Sequence, residues 1–260
     1  MRQLFNLDPT PTGAASVARD RRLLARAVGL TLGFIALLWF ILGVQLAGRF
    51  DLGMFGVRPR EWAGLLGVLT APLVHAGVPH LMANTPALLV LGVLALRVYP
   101  RATARALPWI WLGSGLLVWL FARPDTHIGA SGIAHGLMFF LFVLGLFRRE
   151  RLAIVTSMVV FFLYGGMVHS ILPHDPHVSW EYHLAGAVCG TVAALLTRRL
   201  DPLPPRKRYS WDEEGAGDEP AEDLSYATLA RQAELAEAAR LRPVPADEDD
   251  SEPPDWWDED

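Results

Sequence analysis

Residues 127–149 read HIGASGIAHGLMFFLFVLGLFRR, and the rest of the chain is organised around them. The small residues of the GASG segment, 129–132, open an apolar run that stops at Arg148 and Arg149. A helix that begins at Ser131 spans ~25 Å before these arginines, less than the ~30 Å hydrocarbon thickness of a bilayer. Ser131 and the unpaired N–H groups of the first helical turn are therefore expected inside the membrane.

A serine hydroxyl beside unpaired backbone N–H groups resembles a nucleophile beside an oxyanion hole. The flanking glycines, Gly129 and Gly132, let a second backbone approach closely. An alternative interpretation is structural, because serine is common in membrane helices, where its hydroxyl bonds to its own backbone. Taken alone, Ser131 leaves both interpretations open.

The composition is typical of a protein that crosses the membrane several times. Of the 260 residues 52% are hydrophobic, the mean hydropathy is +0.28, and the apolar residues fall in long blocks between arginine-bearing stretches. Residues 1–200 carry 17 basic and 8 acidic residues, whereas residues 201–260 carry 6 and 19. We predict a cytoplasmic N-terminal tail (1–22), a membrane domain (23–200) and an acidic, mostly disordered cytoplasmic tail (201–260).

Six apolar runs predict six membrane helices, at residues 23–47, 80–99, 107–121, 131–147, 152–172 and 182–197. With both termini in the cytoplasm, this count leaves most arginines on the inner side. A seventh span at residues 63–78 would move the clusters near Arg97 and Arg148 outside, so that segment is predicted to be an outer loop partly embedded in the membrane. The expected fold is an all-α bundle of six transmembrane helices in the inner (plasma) membrane.

Polar residues recur at one depth in three of these helices. The second, fourth and sixth helices run from outside to inside, and they carry Asn84, Ser131 and His183 ~22–25 Å from their inner ends. His80 lies one turn above Asn84 on the same helix face. Polar and ionisable groups are costly inside a bilayer, so each is a candidate functional residue.

Glycine spacing suggests how two of these helices meet. Gly132 and Gly136 are four residues apart on the fourth helix, as are Gly186 and Gly190 on the sixth. Such small-xxx-small pairs let helix backbones approach closely in membranes. Close packing there would bring Ser131 and His183 within hydrogen-bonding range.

Three short segments, HLMAN (80–84), GASG (129–132) and HLAGAVCG (183–190), together resemble the rhomboid family of intramembrane serine proteases. The resemblance covers about residues 25–199. It implies that Ser131 is the nucleophile and His183 its general base, a dyad without an acidic partner. His80, Asn84 and the Ser131 N–H would hold the oxyanion. It also implies that the substrates are transmembrane segments of other proteins and that no cofactor is needed.

The chemistry of these residue types agrees with that resemblance. A serine hydroxyl becomes an effective nucleophile when a neutral imidazole takes its proton. Hydrolysis also requires water below the membrane surface. The outer polar residues are expected to line a wet cavity or to be solvated in loops: His75, His127, His174, Asp175, His177 and Glu181.

One position departs from the family pattern. Rhomboids often have an aromatic residue four positions after the serine, and this chain has His135 there. His135 is expected to stack on His183; hydrogen bonding to His183 and competition for the Ser131 proton are alternatives.

Two other classes of function compete with the protease. One is a non-catalytic rhomboid-like chaperone or adaptor that binds transmembrane helices; the other is a proton or metal transporter using the membrane histidines. No H-E-x-x-H motif is present and the spans lack acidic residues, so no metal site is predicted. The basic residues follow helix ends, which gives no sign of nucleic-acid binding. Residues 255–258 (DWWD) are either part of a solvated tail or a peptide that binds a protein partner.

Overall fold

The computed structural model describes residues 14–148, 151–173, 175, 178–201, 231 and 235. Within these ranges the chain forms six long helices: α1 (Ala14–Gly48), α2 (Val78–Val98), α3 (Pro100–Phe121), α4 (Ser131–Arg148), α5 (Arg151–Tyr164) and α6 (Trp180–Thr197). The β structure of this part of the chain is limited to one isolated bridge between Val57 and His127. The predicted all-α bundle is confirmed.

Five helical segments are long and apolar enough to cross a membrane: Val17–Gly48, Val78–Val98, Pro100–Phe121, Ser131–Arg148 and Leu152–Ile171. The chain is therefore a multi-pass membrane protein. Helix α6 carries the polar residues Glu181 and His183 in its first turn, which lowers its mean hydropathy. Much of α6 is buried against neighbouring helices, including Gly186, Gly190 and Ala194, so it needs less apolar surface than a lipid-facing helix. The sixth span and the cytoplasmic termini stay predictions.

Helix α1 begins earlier than its apolar run predicts. It starts at Ala14 instead of residue 23, because the alanines and arginines before the apolar run are good helix formers. Near this end Asp20 pairs with Arg97 of α2 at 3.0 Å. Both side chains are exposed enough that this ion pair contributes little stability. The helical part of the predicted tail is thus residues 14–22.

Helix α3 also begins earlier, at Pro100 instead of residue 107. Proline suits the first turn of a helix, where its missing N–H costs no hydrogen bond. The carboxylate of Asp201 then accepts hydrogen bonds from the N–H groups of Arg101 at 3.1 Å and Ala102 at 2.7 Å. A carboxylate at this position satisfies two unpaired donors and complements the helix dipole, so it stabilises the early start.

The segment between α1 and α2 does not form a span. It folds into four short helical turns, Gly53–Phe55, Trp62–Leu66, Gly67–Thr70 and Ala71–Leu73. Tryptophans of α3 cover its backbone: the indole N–H of Trp111 donates to the Leu69 carbonyl at 3.0 Å, and that of Trp119 to the Glu61 carbonyl at 2.8 Å. Such partners are what irregular backbone at membrane depth requires.

The fifth apolar run, predicted at 152–172, forms the helical span Leu152–Ile171, but its helix type changes along its length. Helix α5 ends at Tyr164, and residues Gly165–Ile171 form a tighter 3-10 turn. Two adjacent glycines, Gly165 and Gly166, have low helix propensity and explain where the change occurs. The turn places Ser170 against residues of α4 and α6.

Helices α4 and α6 approach each other at their glycines. A Cβ atom built on Gly186 would clash with the carbonyl oxygen of Gly132, and one built on Gly190 would clash with that of Gly136. The two backbones therefore lie too close together for even a methyl side chain to fit between them. Helix α4 is the most enclosed span, with Phe140 fully buried.

The acidic end of the chain forms a separate unit, Pro202–Asp260. Only Arg231 and Leu235 of that unit are described, and both are helical. The predicted disorder of the tail and its DWWD segment lie outside the described residues.

The glycine contacts predict a specific sensitivity to added volume. Gly186→Ala should lower the free energy of unfolding by about 1–3 kcal/mol, because the new methyl group overlaps the Gly132 carbonyl oxygen. Thermal unfolding of the purified protein in detergent measures this change. Gly33→Ala in α1 is the matched control, since a Cβ there meets nothing within 4 Å and alanine favours helix by up to ~1 kcal/mol. Equal melting temperatures for the two variants would contradict the close packing.

Candidate active site

Ser131 is the first residue of α4 and is buried, with 8% of its surface exposed. The turn before it is fixed to the segment between α1 and α2. The Gly129 N–H donates to the Ala71 carbonyl at 2.9 Å, and the Ala130 N–H donates to Nε2 of His75 at 3.2 Å. The position of the serine is therefore set by two hydrogen bonds from the residues just before it to the segment between α1 and α2.

Gly129 meets two requirements that other residues do not. Its φ of +109° is a conformation that residues with a side chain rarely adopt. A Cβ atom at this position would also lie 2.6 Å from Cε1 and 2.8 Å from Nε2 of His80. Gly129 thus lets the His80 ring lie against the turn that precedes Ser131.

The hydrogen bonds around His80 indicate which ring nitrogen carries the proton. The Ala76 N–H points to Nδ1 of His80 at 3.5 Å, a long contact in which Nδ1 acts as the acceptor. In a neutral imidazole the proton is then on Nε2, the nitrogen close to Gly129. Asn84, one turn further along α2, donates one amide N–H to the His80 carbonyl at 3.0 Å. Its amide has a second N–H.

His183 lies in the first turn of α6 and is 9% exposed. Its Nδ1 atom is 3.0 Å from the carbonyl oxygen of Ser170. A carbonyl oxygen only accepts hydrogen bonds, so Nδ1 carries the ring proton and Nε2 carries the lone pair. A lone pair on Nε2 is what a general base for a serine hydroxyl needs.

His135 is stacked on His183. The two ring centroids are 4.0 Å apart and the ring planes differ by 11°. Nδ1 of His135 donates to the carbonyl of Ser131 at 2.8 Å, and Nε2 lies 2.8 Å from the hydroxyl of Ser170. This is the stacked arrangement described above as an expectation. Both ring nitrogens of His135 form hydrogen bonds with Ser131 and Ser170 and not with His183.

One cavity of about 710 Å³ contains the predicted site residues that carry chemistry: His80, Asn84, Ser131, His135 and His183. Its wall also includes polar groups of the loops before α4 and α6, namely Asp125, Thr126 and Ser179. Convergence of polar groups in a concave site of this size is typical of ligand and substrate sites.

A second cavity, of about 550 Å³, lies among α1, α2, α3 and α4 and is almost wholly apolar. Its two hydroxyl-bearing side chains are Thr31 and Thr103, which donate to the carbonyls of Ala27 and Ala95. Because it offers no group for acid, base or nucleophilic chemistry, it is not the candidate site.

The outer polar residues are expected either to line a wet cavity or to be solvated in loops. None of the described ones, His75, His127, Asp175 and Glu181, is among the residues that line the cavity with Ser131, and His75 and His127 are buried. Instead His127 is buried, accepts from the Ser179 hydroxyl at 2.6 Å and donates to the Arg123 carbonyl at 3.1 Å. His127 thus joins the loop before α4 to the residue that precedes α6. His174 and His177 lie outside the described residues.

Ser170 is a site residue that the sequence did not reveal. It falls within an apolar run that predicts a membrane helix, and a single serine in such a run does not by itself indicate a site. The available signal was the Gly165-Gly166 pair, which marks the point where α5 gives way to the turn that carries Ser170.

The Rhomboid domain family model matches residues 62–200, which include every one of these cavity residues. This chain belongs to the rhomboid family. It is 43% identical over 196 residues to uncharacterized protein Rv1337 of Mycobacterium tuberculosis and to uncharacterized protein Mb1372 of Mycobacterium bovis, with 71% of this chain and 79% of each relative covered. Uncharacterized protein ML1171 of Mycobacterium leprae is 36% identical over 206 residues, covering 75% of this chain and 80% of the relative.

Membership of the rhomboid family, predicted from the three short segments, is confirmed by this match. The individual roles of Ser131, His183, His80 and Asn84 in this rhomboid stay predictions, and its relatives carry no named activity.

The contact between His75 and Ala130 predicts a pH dependence of stability. His75 lies in the segment between α1 and α2, where burial, with a smaller contribution from His80, lowers its pKa from 6.5 to about 4. Between these two values the unfolded chain binds a proton that the folded chain does not. The burial of neutral His75 therefore makes its full contribution to the free energy of unfolding above pH 6.5. This contribution, about 3 kcal/mol, is lost as the pH falls to about 4.

The melting temperature of the wild-type protein should therefore fall more steeply below pH 6.5 than that of His75→Gln, whose side chain retains an acceptor but does not titrate. Parallel pH profiles for the two proteins would show that His75 is not held neutral in the fold.

Proposed function

We propose that this rhomboid is a serine endopeptidase of the inner (plasma) membrane. It hydrolyses peptide bonds in or near transmembrane segments of other membrane proteins, using Ser131 and His183. The observation that carries the proposal is the hydrogen bond from Nδ1 of His183 to the Ser170 carbonyl, which leaves the basic nitrogen on the other side of the ring in the cavity that contains Ser131. The arginine distribution supports cytoplasmic termini.

In the first step Nε2 of His183 takes the proton from the Ser131 hydroxyl as the oxygen attacks the carbonyl carbon of the scissile bond. The carbonyl π electrons move to its oxygen, which becomes an oxyanion. When this tetrahedral intermediate collapses, the carbon–nitrogen bond breaks and His183 gives its proton to the leaving amine. An acyl-enzyme on Ser131 remains.

The oxyanion requires N–H donors that are already in position. Nε2–H of His80 and the second amide N–H of Asn84 are suitable side-chain donors, and both residues line the cavity. The backbone N–H of Ser131 adds a third donor, since the first N–H groups of a helix have no partner within that helix. The positive end of the α4 dipole favours negative charge at the same place.

Deacylation requires water at the acyl-enzyme. Asp125, Thr126 and Ser179 give one side of the cavity a polar wall, which supports access of water to the site. His183 again acts as the base and takes a proton from the water that attacks the acyl carbon. The Ser131 oxygen then leaves and recovers its proton from His183.

The opposite part of the cavity fits a transmembrane peptide. Its wall includes the small side chains of Ala83 and Ala87 on α2 and the apolar side chain of Met167 in the turn after α5. We expect substrates with small side chains near the cut, as the resemblance to the family implies. Lipid and transmembrane proteins are thus the proposed partners, and the proposal includes no cofactor and no nucleic acid.

Cleavage of a model transmembrane substrate in liposomes tests the dyad. Ser131→Ala removes the nucleophile and His183→Ala removes its base, so each should lower kcat by ~10⁴-fold or more. Activity should be unaffected by a metal chelator. Ser114→Ala is the matched control, because this buried hydroxyl donates to the Trp111 carbonyl at 3.2 Å, does not line the cavity and should leave kcat unchanged when it is removed.

Retention of cleavage by Ser131→Ala would remove the proposed nucleophile. Absence of cleavage with several substrates, together with tight binding by both wild type and Ser131→Ala, would instead support the chaperone or adaptor interpretation.

The oxyanion donors predict a second set of effects. His80→Ala and Asn84→Ala should each lower kcat by ~10²–10³-fold with little change in KM, because the lost hydrogen bond strengthens only in the transition state. Steady-state kinetics separate the two parameters. Thr85→Ala provides a control on the same helix, since its hydroxyl donates to the Leu81 carbonyl at 2.8 Å and does not line the cavity. Equal kcat values for Asn84→Ala and Thr85→Ala would exclude Asn84 from the oxyanion site.

A further inference from the structure

We propose that Ser170 is a positioning residue that holds His183 and His135 in their catalytic arrangement through two different groups, its carbonyl and its hydroxyl. The inference rests on the proposed function, since it concerns how the base of the dyad is oriented. It assigns to the turn after α5 the orienting role that a carboxylate performs in serine protease triads.

The carbonyl of Ser170 fixes the catalytic histidine directly. It accepts the Nδ1–H of His183 at 3.0 Å, which selects one tautomer and limits rotation of the ring. During catalysis His183 becomes an imidazolium that carries two N–H groups, and this carbonyl continues to accept one of them. A neutral acceptor does this without the cost of burying a carboxylate beside lipid.

The hydroxyl of Ser170 acts through His135. Because Nδ1 of His135 donates to the Ser131 carbonyl, its Nε2 is the acceptor for the Ser170 hydroxyl at 2.8 Å. The His135 ring is thus held at both nitrogens, by α4 on one side and by the Ser170 turn on the other. Its face packs on His183 at 4.0 Å, so a fixed His135 limits tilting of the catalytic ring.

The same hydroxyl also connects to its own turn. Its oxygen lies 2.8 Å from the carbonyl of Met167, three residues earlier in the Gly165–Ile171 turn. A hydroxyl has one proton, so this carbonyl and Nε2 of His135 share it as acceptors. Removal of the hydroxyl therefore loosens both the His135 ring and the turn whose carbonyl accepts from His183.

Ser170 is not among the residues that line the cavity, whereas His135, Met167 and His183 are. A change at Ser170 should consequently alter the reaction more than substrate binding. The titratable groups on the cavity wall, His80, Asp125 and Tyr164 with the two stacked histidines, are retained in a Ser170 variant. An effect on turnover would then come from the arrangement of these groups, not from their loss.

The test compares Ser170→Ala with Ser170→Thr, which restores a hydroxyl, in cleavage of the model transmembrane substrate. Ser170→Ala should lower kcat by ~10-fold or more with KM within about twofold of wild type, and Ser170→Thr should recover most of the loss. Ser157→Ala is the control on α5, since its buried hydroxyl donates to the Ala153 carbonyl at 3.0 Å away from the cavity. Melting temperatures of all variants monitor folding.

Labelling of Ser131 by a fluorophosphonate separates the two proposals. We expect the wild type to be labelled, Ser131→Ala not to be labelled, and Ser170→Ala to be labelled ~10-fold more slowly. If the melting temperature of Ser170→Ala does not fall to match, this result supports the role of Ser170. Equal labelling rates and equal kcat for wild type and Ser170→Ala would overturn it while leaving the dyad intact. A wild-type protein that neither labels nor cleaves would overturn the proposed function itself.

Discussion

The backbone contact between α4 and α6 is the constraint on which the site depends. Gly186 and Gly190 present bare backbone to the carbonyls of Gly132 and Gly136, so the two helices are closer than any side chain would allow. Ser131 begins one of these helices and His183 lies in the first turn of the other. In a bilayer, where helices gain little from burying apolar surface, such close packing is a principal source of association. The packing that stabilises the bundle thus also brings the two residues into one cavity.

The second general constraint is that polar groups in the membrane domain need partners. The turn before Ser131 illustrates this, because its N–H groups donate to the Ala71 carbonyl and to His75. His135 in turn has a contact at each ring nitrogen. Each bond offsets a desolvation cost of ~1–3 kcal/mol and removes a rotational freedom. The residues are therefore held in place by the same bonds that make their burial tolerable, which is the preorganisation a catalytic site requires.

The sequence predicts the features that follow from periodicity, composition and short motifs. The apolar runs predict the all-α bundle, and equal depth along three helices predicts that Asn84, Ser131 and His183 share a layer; all three line one cavity. Features that depend on the path of irregular backbone were missed. The change from α5 to a 3-10 turn, and hence the position of Ser170, follows the Gly165-Gly166 pair, which an analysis of hydropathy does not detect. The helix starts at Ala14 and Pro100 were also missed, because hydropathy detects only the apolar part of a helix and both helices begin with polar residues among their first turns.

The backbone carbonyl of Ser170 is an acceptor for His183 that suits a membrane environment. A serine–histidine pair in water-exposed proteases is commonly oriented by a buried carboxylate, which stabilises the imidazolium by its charge. Near lipid such a carboxylate would carry a large desolvation penalty, and one without a permanent charged partner would bind a proton instead. A backbone carbonyl avoids that penalty and still selects the tautomer, but it contributes less charge stabilisation. Additional orientation must then come from packing, and the stacked His135, held by the Ser131 carbonyl and the Ser170 hydroxyl, supplies a rigid surface for that purpose.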